Sequence, residues 1–413
     1  MGSGSHRAPT RIGRYLNAPV PRSLAVASVA VLVASAIFAI GAKRVFETSL
    51  PLSAPVAPIG GTVPVSPSAS PSPIVDDFTI VASGDLLIHA PIYDRALALG
   101  HGHYDFKPMF AQIRPIVRSA ALAICHVETP IGAGPLSGYP IFNAPIELAA
   151  AIKWTGWRLC STAATHSVDR GQYGIDTTLD ALDAQGIAHA GTARSAAEAN
   201  KITMVNVRGV KIAFLAYAYG DNGLPLPHTW SDNIISLPKI VSDAKRARRQ
   251  GARLIIVNFH WGDQYVHAPN QQQVSISTYL LQHRLVDVIV GQHVHVVQPI
   301  REIAHRFVVF GEGNLISNQT ASCCPRESQD GLIAVIHVHI VDGKPSIPEV
   351  DYIPLWVRHP DFTVLPVGEA LQRLIDEGQG GSALAQELRA SYLRTVTYAG
   401  RARHIHPVPS GLQ

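Results

Sequence analysis

The chain has 413 residues, of which 47% are hydrophobic, enough for one large or two ordinary domains with a sizeable core. Its formal net charge is only +4. No basic stripe interleaved with aromatics crosses its body, which argues against nucleic acid as a partner.

Leu24 to Ala42 is an uncharged apolar stretch of 19 residues, about the length that crosses a bilayer's hydrocarbon core. Arg7, Arg11, Arg14 and Arg22 precede it and Lys43 and Arg44 follow. That charge bias keeps residues 1–23 in the cytoplasm and sends the rest across. The reading is a single-pass signal anchor over 24–42, attaching the chain to the cell membrane with an extracytoplasmic C-terminal part. A cleaved signal peptide is the rival, because the stretch is rich in alanine. Residues 43–75 carry seven prolines between Pro51 and Pro73 among small residues, a composition that forms an extended spacer rather than a core.

From residue 76 the pattern alternates. Apolar runs at 78–83, 121–125, 159–163, 211–216, 254–258 and 286–290 predict buried strands. Helical spacing over 175–185, 237–250 and 271–283 lies between the later ones. Runs at 306–310, 331–341 and 349–357 follow without intervening helices, so part of the sheet system is expected to be antiparallel. Two helical patterns, 367–377 and 383–393, close the chain. The expected class is α/β, a mixed two-sheet sandwich flanked by helices over 76–360, with a helical extension over 361–413.

Several strand exits carry chemistry. His260 ends one apolar run and His293 and His295 follow another. Side chains at such ends project into the crevice where α/β sheets hold ligands, and imidazoles there point to a metal centre. Asp85 after Gly84 is a candidate carboxylate ligand, with a helix cap or turn residue as its plainer reading. Glu128 ends a buried strand, where an unpaired carboxylate is expensive, so a cation partner is expected. His126 would share its face. His166 and Asp169 are spaced so that the carboxylate can orient the imidazole, as a general acid or base requires. His337 and His339 repeat the His-Val-His pattern in mid-strand, with no carboxylate nearby in sequence, and read as decoration of a sheet face. Cys125 and Cys160 end successive strands and are candidate neighbours, whereas Cys323 and Cys324 fall in a loop. All four read as structural.

In order, Gly84-Asp85, Val127-Glu128-Thr129-Pro130, His166 to Gly171, Asp180 to Asp183 with Gly186-Ile187, His260-Trp261-Gly262, Gly291 to Val296 and Gly311 to Asn314 resemble the CapA family. That family is known from poly-γ-glutamate capsule synthesis, and its domain is similar to the calcineurin-like metallophosphoesterases. The resemblance runs from about residue 77 to 358. It implies a metallophosphoesterase-like fold and one or two divalent ions (manganese, zinc or iron) held by Asp85, Glu128, His260, His293 and His295. His166 would protonate a leaving group, with Asp169 beside it. Its implied partners are an anionic envelope polymer or a phosphoester substrate, the membrane, and a polymer-synthesis complex. The pattern departs from the family at Ala164 and Thr165, where two asparagines are usual and the second can ligate metal. A threonine hydroxyl is the poorer ligand. His126, Thr165 and Asn314 are the additional candidates. Two roles follow: a metal-dependent hydrolase, or a non-catalytic, metal-binding accessory to polymer assembly.

Overall fold

The structure is a computed structural model that describes residues 75–409 and 411. The expected anchor over 24–42 and nearly all of the spacer lie outside the described residues. Among the described residues no helix is long and apolar enough to cross a membrane.

In chain order the first elements are β1 (Val75–Leu86), α1 (Ala90–Leu99), α2 (Lys107–Phe110), α3 (Arg114–Ser119), β2 (Leu122–Val127) and α4 (Glu147–Thr155). Then come β3 (Leu159–Ser161), α5 (Gly171–Ala184), β4 (Ala188–Ala190) and α6 (Ala196–Ala199). The middle of the chain forms β5 (Thr203–Val207), β6 (Val210–Ala218), α7 (Leu237–Arg249), β7 (Leu254–His260), α8 (Gln271–Gln282), β8 (Val288–Gln292), β9 (Ile300–Ile303) and β10 (Arg306–Val309). The last part holds β11 (Asn314–Ile316), β12 (Asp330–Val341), β13 (Lys344–Ser346), β14 (Val350–Arg358), β15 (Thr363–Pro366), α9 (Val367–Asp376), α10 (Ala383–Ala399) and β16 (Ile405–Pro407).

Two sheets result. The larger runs β15-β14-β12-β1-β2-β3-β4, with β11, β13 and β16 on its flanks. β1 to β4 pair in parallel, and β12, β14 and β15 extend the sheet antiparallel, as the helix-free runs predicted. The smaller runs β5-β6-β7-β8-β10-β9, parallel at its centre with an antiparallel strand at each edge.

Alternation of side chains along each strand builds the layers. Ile80, Ile124, Phe214, Ile256, Val290 and Ile336 meet between the sheets. Val81, Ala123 and Cys125 face the other way, onto a cluster with Phe106, Phe110 and Trp157. On the smaller sheet Ile255, Val257 and Phe259 pack outward with Ile240 of α7 and Leu280 of α8. The fold is therefore the expected mixed α/β sandwich of two sheets flanked by helices.

The segment after 361 is more than helical. β15 and β16 add strands to the larger sheet, and α9 and α10 bury Leu371, Leu388 and Tyr392 against Trp356 and Leu365. Both strands are too short to register as periodic patterns, so their pairing with β14 supplies the order. Cys125 and Cys160 are register partners across β2 and β3 and form a disulfide, with Cα atoms 4.5 Å apart. Cys323 and Cys324 are free thiols.

Candidate metal centre

The parallel strands of both sheets deliver their C-terminal ends to one edge of the sandwich. His126 shares the inter-sheet face of Leu122 and Ile124, and His260 that of Leu254 and Ile256, by the same two-residue period. Asp85 would point the other way if β1 alternated without a break, because Val81 faces the helices. A bulge prevents this. Ala82 pairs with Ile124 and Asp85 with His126, so three steps on β1 match two on β2. The extra residue re-aims the carboxylate into the inter-sheet crevice. Gly84 permits the close approach, since a Cβ there would sit 1.8 Å from the Gly313 carbonyl oxygen.

His293 and His295 lie just beyond β8 with left-handed backbone, φ 90° and 58°. Non-glycine residues hold such conformations only where the surroundings impose them, and they concentrate at functional sites. Here the backbone N–H of His293 points at both oxygens of Asp85, at 3.4 Å.

All five residues expected to bind metal converge. His295 Nδ1 lies 3.2 Å from Asp85 Oδ2, and its Nε2 is 3.9 Å from Glu128 Oε1. His260 Nε2 is 3.1 Å from His293 Nδ1 and 3.9 Å from Glu128 Oε1. The additional candidates join them. His126 Nε2 stands 2.9 Å from His260 Nδ1 and 3.7 Å from Asp85 Oδ1. Thr165 Oγ1 is 3.1 Å from His260 Nε2, and Asn314 Oδ1 is 3.1 Å from His295 Nδ1. Asn314 is held by its own amide, which donates to Gln319 Oε1 and the Ser328 carbonyl. Every one of these side chains is buried.

The electrostatics of the cluster fit a cation. Burial holds the Glu128 carboxyl well above its usual range, and Asp85 and Asp169 push it further up. Neither Glu128 oxygen has a hydrogen-bond partner, and His126 Nδ1 has none. Burial pushes His126 down to about 4 against the pull of Asp85. Burial and the neighbouring imidazoles hold His260 and His293 well below the ordinary histidine range. Neutral imidazoles crowded nitrogen against nitrogen beside orphaned carboxylate oxygens are a donor set without an acceptor of its electrons, and a divalent ion supplies one.

His166 and Asp169 stand beside the cluster. Asp169 Oδ2 accepts from His166 Nδ1 at 2.8 Å and from the Phe142 backbone N–H at 2.7 Å. His166 Nε2 is left for Asn222, 3.3 Å away, and the Phe142 ring packs edge-on at 4.6 Å.

Sequence reasoning assigned no role to several neighbours. Glu312, wholly buried, accepts from Gln292 Nε2 at 2.6 Å, and burial raises its carboxyl to about 8. Tyr219 lies with its ring 4.6 Å from that of His293, and Asn222 follows in the same loop. His89, lowered to about 4 by burial, accepts from the Asn318 N–H. The Gly311-Glu312-Gly313-Asn314 motif was the available signal for Glu312; nothing local marks the others.

A family model for the bacterial capsule synthesis protein PGA_cap matches residues 79–319. The chain is 25% identical over 281 residues to the capsule biosynthesis protein CapA of Bacillus anthracis, covering 65% of this chain and 66% of that one. It is 24% identical over 219 residues to the PGA biosynthesis protein CapA of Bacillus subtilis, covering 51% and 57%. The matches thus span less than two thirds of either relative. Among solved structures, the calcineurin-like phosphoesterase YfkN from Bacillus subtilis aligns with a TM-score of 0.42 and 12% identity, over 76% of this chain and 100% of that one. Because the matched region covers more than half of the chain and holds every residue of the cluster from Asp85 to Asn314, the chain belongs to the bacterial capsule synthesis (PGA_cap) family.

Proposed function

We propose that this protein is a membrane-tethered, extracytoplasmic metal-dependent hydrolase that processes an anionic cell-envelope polymer such as poly-γ-glutamate, or a phosphoester linked to its assembly. One observation carries the reading: Glu128, buried with both oxygens unpartnered, lies 3.9 Å from both His260 and His295, and Asp85 stands at the other nitrogen of His295. The arginine-flanked apolar stretch over 24–42 and the proline spacer support the tether.

Asp85, Glu128, His260, His293 and His295 would hold the metal, with His126 and Asn314 beside them. When bound, such an ion polarises a substrate oxygen and lowers the pKa of coordinated water. The chain's own part is positional. Asp169 fixes His166 with its Nδ1 proton inward, so Nε2 is the atom that can carry a proton to a leaving group. Asn222 holds the ring from the other side. The buried walls exclude bulk water, which strengthens every charge interaction within.

The test is hydrolysis of a generic phosphodiester and of poly-γ-glutamate by the full chain with manganese or zinc. Turnover that His166→Ala lowers about 100-fold or more at unchanged metal content supports the hydrolase. Absence of turnover on both substrates at full metal occupancy would move the assignment to a non-catalytic accessory in polymer assembly. Thr165, standing where the family's second asparagine is usual, is the residue that favours this second reading.

A further inference from the structure

The larger sheet carries a second group of metal-type side chains on its solvent face, far along the strands from the crevice. His337 on β12 lies opposite Thr79 of β1 on one side, and its backbone N–H donates to the Glu349 carbonyl on the other. Asp351 on β14 is the register partner of both Val335 and His406. Directly opposed residues of paired strands share a face, and so do residues two apart. His337, Glu349, Asp351 and His406 therefore stand on one side of three adjacent strands. His337 Nε2 is 2.9 Å from Asp351 Oδ2, and His406 Nδ1 is 3.3 Å from Asp351 Oδ1. Glu349 Oε1 lies 3.9 Å from His337 Nδ1.

We infer that His337, Glu349 and Asp351 form a second divalent-cation site of the zinc class, with His406 orienting Asp351 from its other oxygen. One donor atom from each of the three lies within 4.8 Å of the other two. Donors about 2.0–2.1 Å from a zinc ion stand about 3.3 Å apart at the tetrahedral angle. The His337 Nε2–Asp351 pair is already close to that spacing, and Glu349, which now faces the ring's other nitrogen, has a side chain 41% exposed that is free to swing to the Nε2 side. The mixed nitrogen and oxygen donors suit zinc over the all-oxygen preference of calcium or magnesium. A carboxylate held by a second imidazole is the outer support that metal sites use. An entry path is present too: a cleft of about 350 Å³ runs beside His337 and Glu349, past Thr79 and Arg208.

Sheet-face decoration remains the right description of His339, which pairs with Asp77 at 2.6 Å on the neighbouring strand. His337 differs because it shares Asp351 with an imidazole from a strand 55 residues further on. Bound zinc would tie β16 to β14 and β12, fastening the C-terminal strand to the sheet. The inference is independent of the hydrolase reading, since none of these residues belongs to the crevice.

The experiment is competition titration of the full chain with zinc against a chromophoric chelator, in four forms. Wild type is compared with His337→Ala/Asp351→Asn, each also in a His293→Ala/His295→Ala background that disables the crevice. The expected result is one equivalent lost with His337→Ala/Asp351→Asn in both backgrounds, and one equivalent retained by His293→Ala/His295→Ala alone. Equal stoichiometry with and without His337→Ala/Asp351→Asn would overturn the site. Should that variant fold poorly by circular dichroism, Glu349→Gln, a half-exposed change, serves instead. A tenfold or greater loss of zinc affinity at the second site supports the assignment, and unchanged affinity refutes it. Failure of the crevice reading would register separately, as no change on His293→Ala/His295→Ala.

Discussion

His295 Nδ1 and Asp85 Oδ2 lie 3.2 Å apart although 210 positions separate them. The contact joins the exit of β8 in one sheet to the bulged end of β1 in the other, so it holds the two halves of the crevice together. A cation between them would bind the native state only, because the unfolded chain scatters its ligands. Stability must then depend on metal.

Removing metal is expected to lower the melting temperature. At a free concentration about 100 times the dissociation constant, a bound ion contributes about 2.7 kcal/mol, worth roughly 4 °C for a domain of this size. Thermal melts with and without a strong chelator check it in the His337→Ala/Asp351→Asn form, so that only the crevice responds. His293→Ala/His295→Ala should abolish the difference, and a chelator-insensitive melt of the parent would contradict the metal centre.

Glu128→Gln should separate stability from binding. Without metal, the buried Glu128 carboxyl has no hydrogen-bond partner and is repelled by Asp85, so neutralising it relieves the fold. At pH high enough to ionise the parent's carboxyl, the metal-free variant is expected to be the more stable of the two, yet to bind metal far more weakly. Denaturant melts of both apo forms measure the first effect and metal titration the second. A less stable apo variant would show that Glu128 has a partner.

Glu312 predicts a pH dependence in the metal-free protein. Its folded carboxyl titrates near 8 because burial raises it from 4.5, while the unfolded group keeps the ordinary value. Between those pH values the native chain holds a proton that the unfolded chain has released. Its contribution is therefore fully present below about pH 4.5 and is lost as pH rises through about 8, on the order of 5 kcal/mol across the window. Glu312→Gln should flatten that slope in unfolding free energy measured from pH 5 to 8. An equal slope in both proteins would assign it to another group.

The Cys125–Cys160 bridge closes a loop of 35 residues. On the chain-entropy account its loss costs about 3–4 kcal/mol, or roughly 5 °C in melting temperature. Cys125→Ala/Cys160→Ala compared with the oxidised protein tests this. An unchanged melt would mean that the strand pair is held by its packing alone.

Much of this protein is written in short stretches of its sequence. Two-residue alternation through Leu254 to His260 places Ile255 and Val257 outward and His260 inward, and three- and four-residue spacing marks Ile175, Leu179 and Leu182 as one helix face. The identity of the strand-end ligands is equally local, since a histidine or carboxylate at the close of a buried strand needs a partner wherever the strand lies.

What only the tertiary structure decided is which of those side chains meet. The bulge that turns Asp85 toward His126 depends on pairing with β2 and on the approach of Gly313; Gly84 in β1 permits that approach, but nothing in β1 itself specifies either partner. Glu312 finds Gln292, and Asp351 is shared by His337 and His406, through registers between strands distant in the chain. The reason is physical: periodicity along a segment is set by its own backbone geometry. Register between segments is set by the packing of the whole core, and no single stretch contains that information.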